Sequence, residues 1–191
     1  MEIAELTEQR WPALERLFGP NGAQSGCWCT FFLVTNAEAR GRTAEDNREL
    51  LHSRVCSGRP VGLLALDGPD ALGWVAVAPR LDYARLARTK AAAPVSPTED
   101  LTGIWAVTCF FIHRTARRRG LGGELLAAAV DHARERGARL IEGYPVDTGG
   151  AKKGSGDLYH GTLTMFLDAG FEVVEERGPH RALVRKDLTQ L

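Results

Sequence analysis

The run Ile104–Ile112 (IWAVTCFFI) is almost wholly apolar, β-branched or aromatic, and it leads straight into HRTARRRGLGG, residues 113–123. A run that short and that apolar reads as a strand covered on both faces of a sheet. Beyond it, residues 117–136 place Leu121, Leu125, Ala128, Ala129 and His132 on one side of a helix, with Glu124, Asp131, Arg134 and Glu135 elsewhere and Gly137 as the stop. Ala138–Tyr144 is the next strand. A strand, a helix and a strand with short links make a right-handed parallel crossover, so these elements belong at the centre of a mixed sheet.

The flanking segments fill out that sheet. Glu2–Leu6 reads as a short strand, followed by a helix bearing Trp11, Leu14, Leu17 and Phe18, with Thr7 as N-cap and Gly19-Pro20 as its end. Residues 22–35, which include GCWCTFF, have no clean period and form a loop that returns into a helix over Ala37–Cys56. Pro60–Leu66 and Ala71–Ala78 form a hairpin across Asp67-Gly68-Pro69-Asp70. Residues 81–100 give one or two helical turns and a connector. A loop over 145–157, a helix over Leu158–Ala169 stopped by Gly170, and strands at Phe171–Glu175 and Arg181–Arg185 complete the chain. No linker divides residues 1–191, so a single domain is expected.

Composition narrows the function classes. The 24 basic residues balance 24 acidic ones, which argues against a surface adapted as a whole to nucleic acid or an anionic membrane. No run of about 18 or more apolar residues is present, and MEIAELTEQR lacks the layout of a secretory signal, so a cytoplasmic protein is expected. Four cysteines are too few for a disulfide scaffold, and Cys27-Trp28-Cys29 has poor spacing for zinc, so no metal is expected. The neutral average hides a local cluster: Arg114, Arg117, Arg118 and Arg119 meet Gly120, Gly122 and Gly123, with no acidic residue over 101–123. A glycine-rich helix start offers unpaired amides and the positive end of the helix dipole, the chemistry of a diphosphate site. The alternative is a solvated basic turn, but glycine costs roughly 1 kcal/mol relative to alanine inside a helix, and three in one turn point to close approach of a ligand to the backbone.

The pattern Arg117-x-x-Gly120-x-Gly122 resembles motif A of the GNAT superfamily of acyl-CoA-dependent N-acetyltransferases, Q/R-x-x-G-x-G/A between the fourth strand and third helix. The order of elements fits along nearly the whole chain, and Ala169-Gly170-Phe171 resembles the family's closing L-G-F element. The resemblance implies an α/β class, α+β mixed sheet of about six to seven strands flanked by about four helices, with the fourth and fifth strands splayed. It also implies that acetyl-CoA is the acyl donor. Its pyrophosphate would lie on Arg117, Arg118, Arg119, Gly120, Leu121, Gly122 and Gly123, and its pantetheine amides along Phe110, Phe111 and Ile112. Arg114 stands where many relatives have proline. The implied activity is transfer of acetyl to a primary amine, by direct attack in a ternary complex, with a small-molecule acceptor favoured by the aromatic and glycine-rich loops.

Acyl transfer to an amine needs a neutral amine, a donor to the developing oxyanion and an acid for the thiolate. Strand alternation puts Glu142 and Tyr144 on the face opposite Ile141, so if Ile141 meets the helices, Glu142 faces the acceptor as general base, directly or through water. The other reading of Glu142 is a salt-bridged strand carboxylate. The family's acid, a tyrosine four residues before the closing glycine, is Phe166 here. Tyr159, where relatives often carry asparagine, or Tyr144 could replace it, or the thiolate could leave unaided. His160 and His113 read as hydrogen-bonded or surface residues. Trp28 and Phe31, with Phe32, form an aromatic lid over the acceptor or part of the core. Cys109 lies beside the expected pantetheine contacts. Two other functions fit parts of the pattern: a non-catalytic acyl-CoA-binding module, suggested by Phe166, and a toxin acetylating aminoacyl-tRNA, suggested by the arginines. The carboxyl-terminal edge strands make a homodimer reasonable.

Overall fold

The computed structural model describes residues 1–150 and 158–189. Seven strands, β1 (Glu2–Glu5), β2 (Gly62–Asp67), β3 (Asp70–Pro79), β4 (Ile104–Ile112), β5 (Leu140–Gly143), β6 (Glu172–Glu176) and β7 (Ala182–Asp187), form one sheet in the order β1-β2-β3-β4-β5-β7-β6. Only β4 and β5 are parallel, and the crossover between them is helix α3 (Leu121–Glu135). Helices α1 (Trp11–Phe18) and α2 (Ala44–Cys56) cover one face, while α3 and the short α4 (Leu163–Asp168) cover the other.

Two cores result, and strand alternation assigns residues between them. Trp74 and Ala76 of β3 and Ala106 of β4 pack with Trp11, Leu14 and Leu51, whereas Val75, Val77, Trp105 and Val107 pack with Leu125, Leu126 and Ala129. That double burial explains the uninterrupted apolar runs of β3 and β4. Gly73 lets α3 approach, since a Cβ there would lie 3.0 Å from Leu125 Cδ1. Among the described residues no helix is long and apolar enough to cross a membrane.

The hairpin and β4 have the expected positions, but several helix bounds differ. Thr7 caps no α-helix: it precedes a 3-10 turn over Glu8–Arg10, and α1 begins at Trp11 with Pro12 in its first turn. The helix expected from Ala37 begins at Ala44, because Gly41 holds φ +76° and Thr43 closes a capping box with Asp46. The 117–136 helix begins at Leu121, after a 3-10 turn at Arg114–Ala116 and left-handed residues at Arg118 and Gly120. The helix expected from Leu158 is one short piece after left-handed Gly161, started by Thr162, whose side chain accepts from Met165 N–H. The part of the 145–157 loop from 151 onward lies outside the described residues.

Candidate active site

The parallel pairing of β4 with β5 ends at Val107 opposite Gly143. At that point β4 bulges: Val107 and Cys109 face Val77 and Ala76 of β3, leaving Thr108 without an opposite residue. A bulge bends a strand and increases its twist, so the end of β4 leaves β5 and opens a gap. The segment from Leu158 enters that gap. Phe110 N–H donates to the Tyr159 carbonyl at 2.6 Å, and His160 Nδ1 lies 3.0 Å from the Thr108 carbonyl. A carbonyl only accepts, so Nδ1 carries the proton. Burial, with the Arg181 cation next in importance, pushes the His160 pKa down to about 3.

A cavity of about 680 Å³ lies along the exposed end of β4. Its walls are Cys109, Phe110, Phe111 and Ile112 on the strand, Ala23, Gln24, Ser25, Cys27, Cys29 and Phe31 on the aromatic loop, Leu158 and Tyr159 on one side, and Arg117 at one end. Strand alternation turns Ile112 N–H toward the same edge as Phe110 N–H. Arg117 Nε donates to the Ile112 carbonyl at 3.0 Å, which ties the basic turn to the strand end. Arg117, Arg118 and Arg119 are exposed, and none of them forms an ion pair among the described residues. The amides of Leu121 and Gly122 have no carbonyl within the helix to bond, so they point out of the α3 N-terminus.

The three glycines of that turn meet three different demands. Gly120 holds φ +81° as the residue before the helix. Gly122 has an ordinary backbone, but a Cβ would come within 3.1 Å of Met165 Sδ. A Cβ at Gly123, as at Gly120, would meet nothing within 4 Å, so at both positions the chain itself leaves space for an approaching anion.

The cavity gathers Phe110, Phe111, Ile112, Arg117, Phe31 and Tyr159 from the expected site, with Arg118 to Gly123 continuing beyond Arg117. It does not gather Glu142, Tyr144 or Trp28. Ile141 does meet the helix side and Tyr144 the opposite core, as alternation requires, but that opposite face is filled. Glu142 is fully buried between two arginines. Arg80 Nη1 and the Tyr144 hydroxyl, the latter at 2.5 Å, donate to its Oε1, and Arg185 Nε donates to Oε2 at 3.0 Å. Arg80 also holds the Ala92 carbonyl, and Arg185 holds Glu99 at 2.5 Å, so the cluster fastens the 80–100 connector to β5 and β7. Burial raises the Tyr144 pKa, keeping its hydroxyl protonated.

Trp28 is core: its ring stacks on Trp11 at 5.9 Å and meets Phe18 edge-on at 5.5 Å. Phe31 is the aromatic residue that reaches the cavity, at 49% exposure, with the Arg85 guanidinium 3.9 Å from its ring centre. Arg85 is itself buried and donates to the carbonyls of Val34 and Thr35, which sets the loop's outer course. Phe166 has no exposure; its ring fills the space of the absent Cβ of Gly143, which would lie 2.3 Å from Phe166 Cε1. The cavity residues that sequence reasoning did not place in a site are Ala23, Gln24, Ser25, Cys27, Cys29 and Leu158. The loop's lack of a period gave no signal for which of them turn inward.

A cavity that runs along the end of β4, where that strand leaves β5, to Arg117 in the basic turn before α3 suits a long donor with an acyl group at one end and phosphates at the other. Fold and site together define an acyltransferase. The profile of the Acetyltransferase (GNAT) family matches residues 26–148, and the chain belongs to that family. Solved structures align over nearly the full length. A GCN5-related N-acetyltransferase from Kribbella flavida shares 18% identity at a TM-score of 0.58, covering 97% of this chain and 96% of that one. The ribosomal-protein-alanine N-acetyltransferase of Brucella melitensis shares 19% at 0.56, covering 98% and 99%. The yncA protein of Salmonella typhimurium, solved with its cofactor acetyl-CoA, shares 14% at 0.56, covering 100% and 95%. At these identities the likeness is one of fold. No curated protein matches the chain.

Proposed function

We propose that this acetyltransferase moves acetyl from acetyl-CoA to a primary amine of a small molecule, by direct attack within a ternary complex, and that residues 1–191 act as one N-acetyltransferase domain. The observation that carries this reading is the continuity of the cavity from Tyr159 and Cys109, along the edge of β4, to Arg117. The pantetheine amides would take the edge groups between Phe110 and Ile112 that Tyr159 and Arg117 leave free, the Phe110 carbonyl and the Ile112 N–H. Arg117, Arg118 and Arg119, with the amides from Gly120 to Gly123, would face the phosphates. The aromatic loop, with Phe31 at its outer end, leaves an acceptor space lined by Ala23, Cys27 and Cys29, which favours an amine carried on an apolar body.

The amine lone pair forms the C–N bond as the carbonyl π bond opens to an oxyanion, the nitrogen then gives up one proton to water, and the oxyanion collapses as the C–S bond breaks to release the CoA thiolate; the proton that Tyr159 gives the thiolate is restored from water. Tyr159 is assigned as the group that protonates that thiolate. It lines the cavity, and burial raises its hydroxyl pKa, so it holds its proton at neutral pH. Among the described residues the cavity wall carries no carboxylate. The amine therefore enters in its neutral form or loses its proton to water, and Glu142 is read as an organising residue rather than the base.

The test is a set of initial rates with acetyl-CoA and small primary amines spanning a range of pKa values. Intersecting double-reciprocal lines are expected, with the acid limb of kcat/KM moving with each amine's own pKa. Tyr159→Phe should lower kcat by about 100-fold, the lower end for a lost general acid, because a thiolate is a good leaving group. Parallel lines would contradict the ternary complex. An acid limb fixed at one pH for every amine would reveal an enzyme base.

A further inference from the structure

The cavity wall holds three of the chain's four cysteines. Cys27 and Cys29 come from the aromatic loop and Cys109 from β4, and Cys29 Sγ lies 3.0 Å from Cys109 Sγ although the two residues are 80 apart in the chain. The contact is held from both sides. Cys109 sits in the strand directly after the Thr108 bulge. Cys29 has a left-handed backbone, φ +56°, a conformation that only the surrounding structure imposes on a residue with a side chain. The neighbouring Trp28, wedged between Trp11 and Phe18, fixes the loop at that point.

We propose that Cys29 and Cys109 form an oxidant-sensitive dithiol, whose closure to a disulfide clamps the aromatic loop onto β4 and hinders entry of the acyl donor. The consequence for the donor rests on the function proposed above. A disulfide places its sulfurs about 2.05 Å apart, so closure asks the two thiols to approach by roughly 1 Å, a movement that side-chain rotation supplies. Access runs through the cavity, where Cys109 is partly exposed while Cys29 is buried. That exposure makes Cys109 the first to meet an oxidant, while the hydrogen bond to Cys109, with burial, holds the Cys29 thiol well above the ordinary range. With a hydroperoxide as oxidant, the Cys109 thiolate takes one peroxide oxygen to give a sulfenic acid, and the other oxygen leaves as hydroxide. The Cys29 sulfur then displaces the sulfenic oxygen as water. Overall the two thiols lose two protons and two electrons, and hydrogen peroxide becomes two waters. Cys56, exposed at the end of α2, takes no part.

The experiment treats the reduced full-length protein with hydrogen peroxide, maps cysteine linkages in non-reduced peptides, and measures acetyl-CoA affinity calorimetrically before oxidation, after it, and after dithiothreitol. Expected are a Cys29–Cys109 bond, a mass loss of about 2 Da for the two hydrogens, and affinity at least about tenfold weaker, restored by dithiothreitol. Cys56→Ser should behave as wild type. Cys29→Ser and Cys109→Ser, with Cys109→Ala as a second variant for folding, should show no bond and the same affinity before and after peroxide. A bond involving Cys27 or Cys56, oxidation only to sulfinic or sulfonic acid, or a Cys29–Cys109 bond that leaves affinity unchanged would each overturn the proposal. If the reduced protein binds no acetyl-CoA, the donor reading fails with the clamp's effect, while peptide mapping still decides the dithiol.

Discussion

Replacing Glu142 with glutamine separates a structural charge from a catalytic one. The wild-type carboxylate has no exposure and answers Arg80, itself 2% exposed, on one oxygen and Arg185 on the other. Glutamine keeps the shape but not the charge, and one end of its amide would present donors to an arginine's donors. Arg185 would keep Glu99, whereas Arg80 would retain only the Ala92 carbonyl and the Tyr144 hydroxyl. Removing one partner of a buried pair costs about 3–5 kcal/mol, because the other charge is left uncompensated. At about 2–4 °C per kcal/mol for a chain of this size, the melting temperature should fall by roughly 6–20 °C. Urea denaturation and a thermal melt measure the loss, and kcat is compared at a temperature where both proteins are folded. Adding Arg80→Met should recover part of the stability, since the unpaired cation is then gone. The reasoning is refuted if Glu142→Gln stays within about 1 kcal/mol of wild type while losing acyl transfer and the acid limb of its pH profile; Glu142 would then be the base.

Two further predictions concern the packing around the gap. The His160 pKa is lowered to about 3 from 6.5, so its contribution to stability is complete above pH 6.5 and is lost as pH falls toward 3, at up to about 1.36 kcal/mol per pH unit. His160→Asn should flatten the stability slope between pH 4 and 6 by up to one proton's worth in urea denaturation; an unchanged slope would count against the buried neutral imidazole. Gly143→Ala should destabilise by about 1–3 kcal/mol through overpacking, because the new methyl would lie 2.3 Å from the Phe166 ring. Combined with Phe166→Leu the loss should be less than additive in the same assay, and strict additivity would deny the contact.

Local pattern alone determined much of this protein. The apolar run of β4, the Asp67–Asp70 hairpin, the helical stripe closed by Gly137, and the basic glycine turn each carry their signal within a few residues, because period, length and turn chemistry are local properties. The start of α2 was also written locally, in the capping box of Thr43 and Asp46. Alternation correctly put Ile141 and Tyr144 on opposite faces, but it could not say whether the second face opens to a ligand. That was decided by Arg80 and Arg185, which reach Glu142 from 62 and 43 residues away. The loop over 22–35 has no period to tell Trp28, which packs into the core, from Phe31, which reaches the cavity. Likewise only the packing showed that Phe166, at the position where relatives carry a tyrosine, fills the space left by the absent Cβ of Gly143. The meeting of Cys29 with Cys109, and the cavity between their segments, depend on distant segments being brought together around the Thr108 bulge. Periodicity specifies which side of an element is apolar; which side chains then meet across the gap is set by the packing of elements that no local window contains.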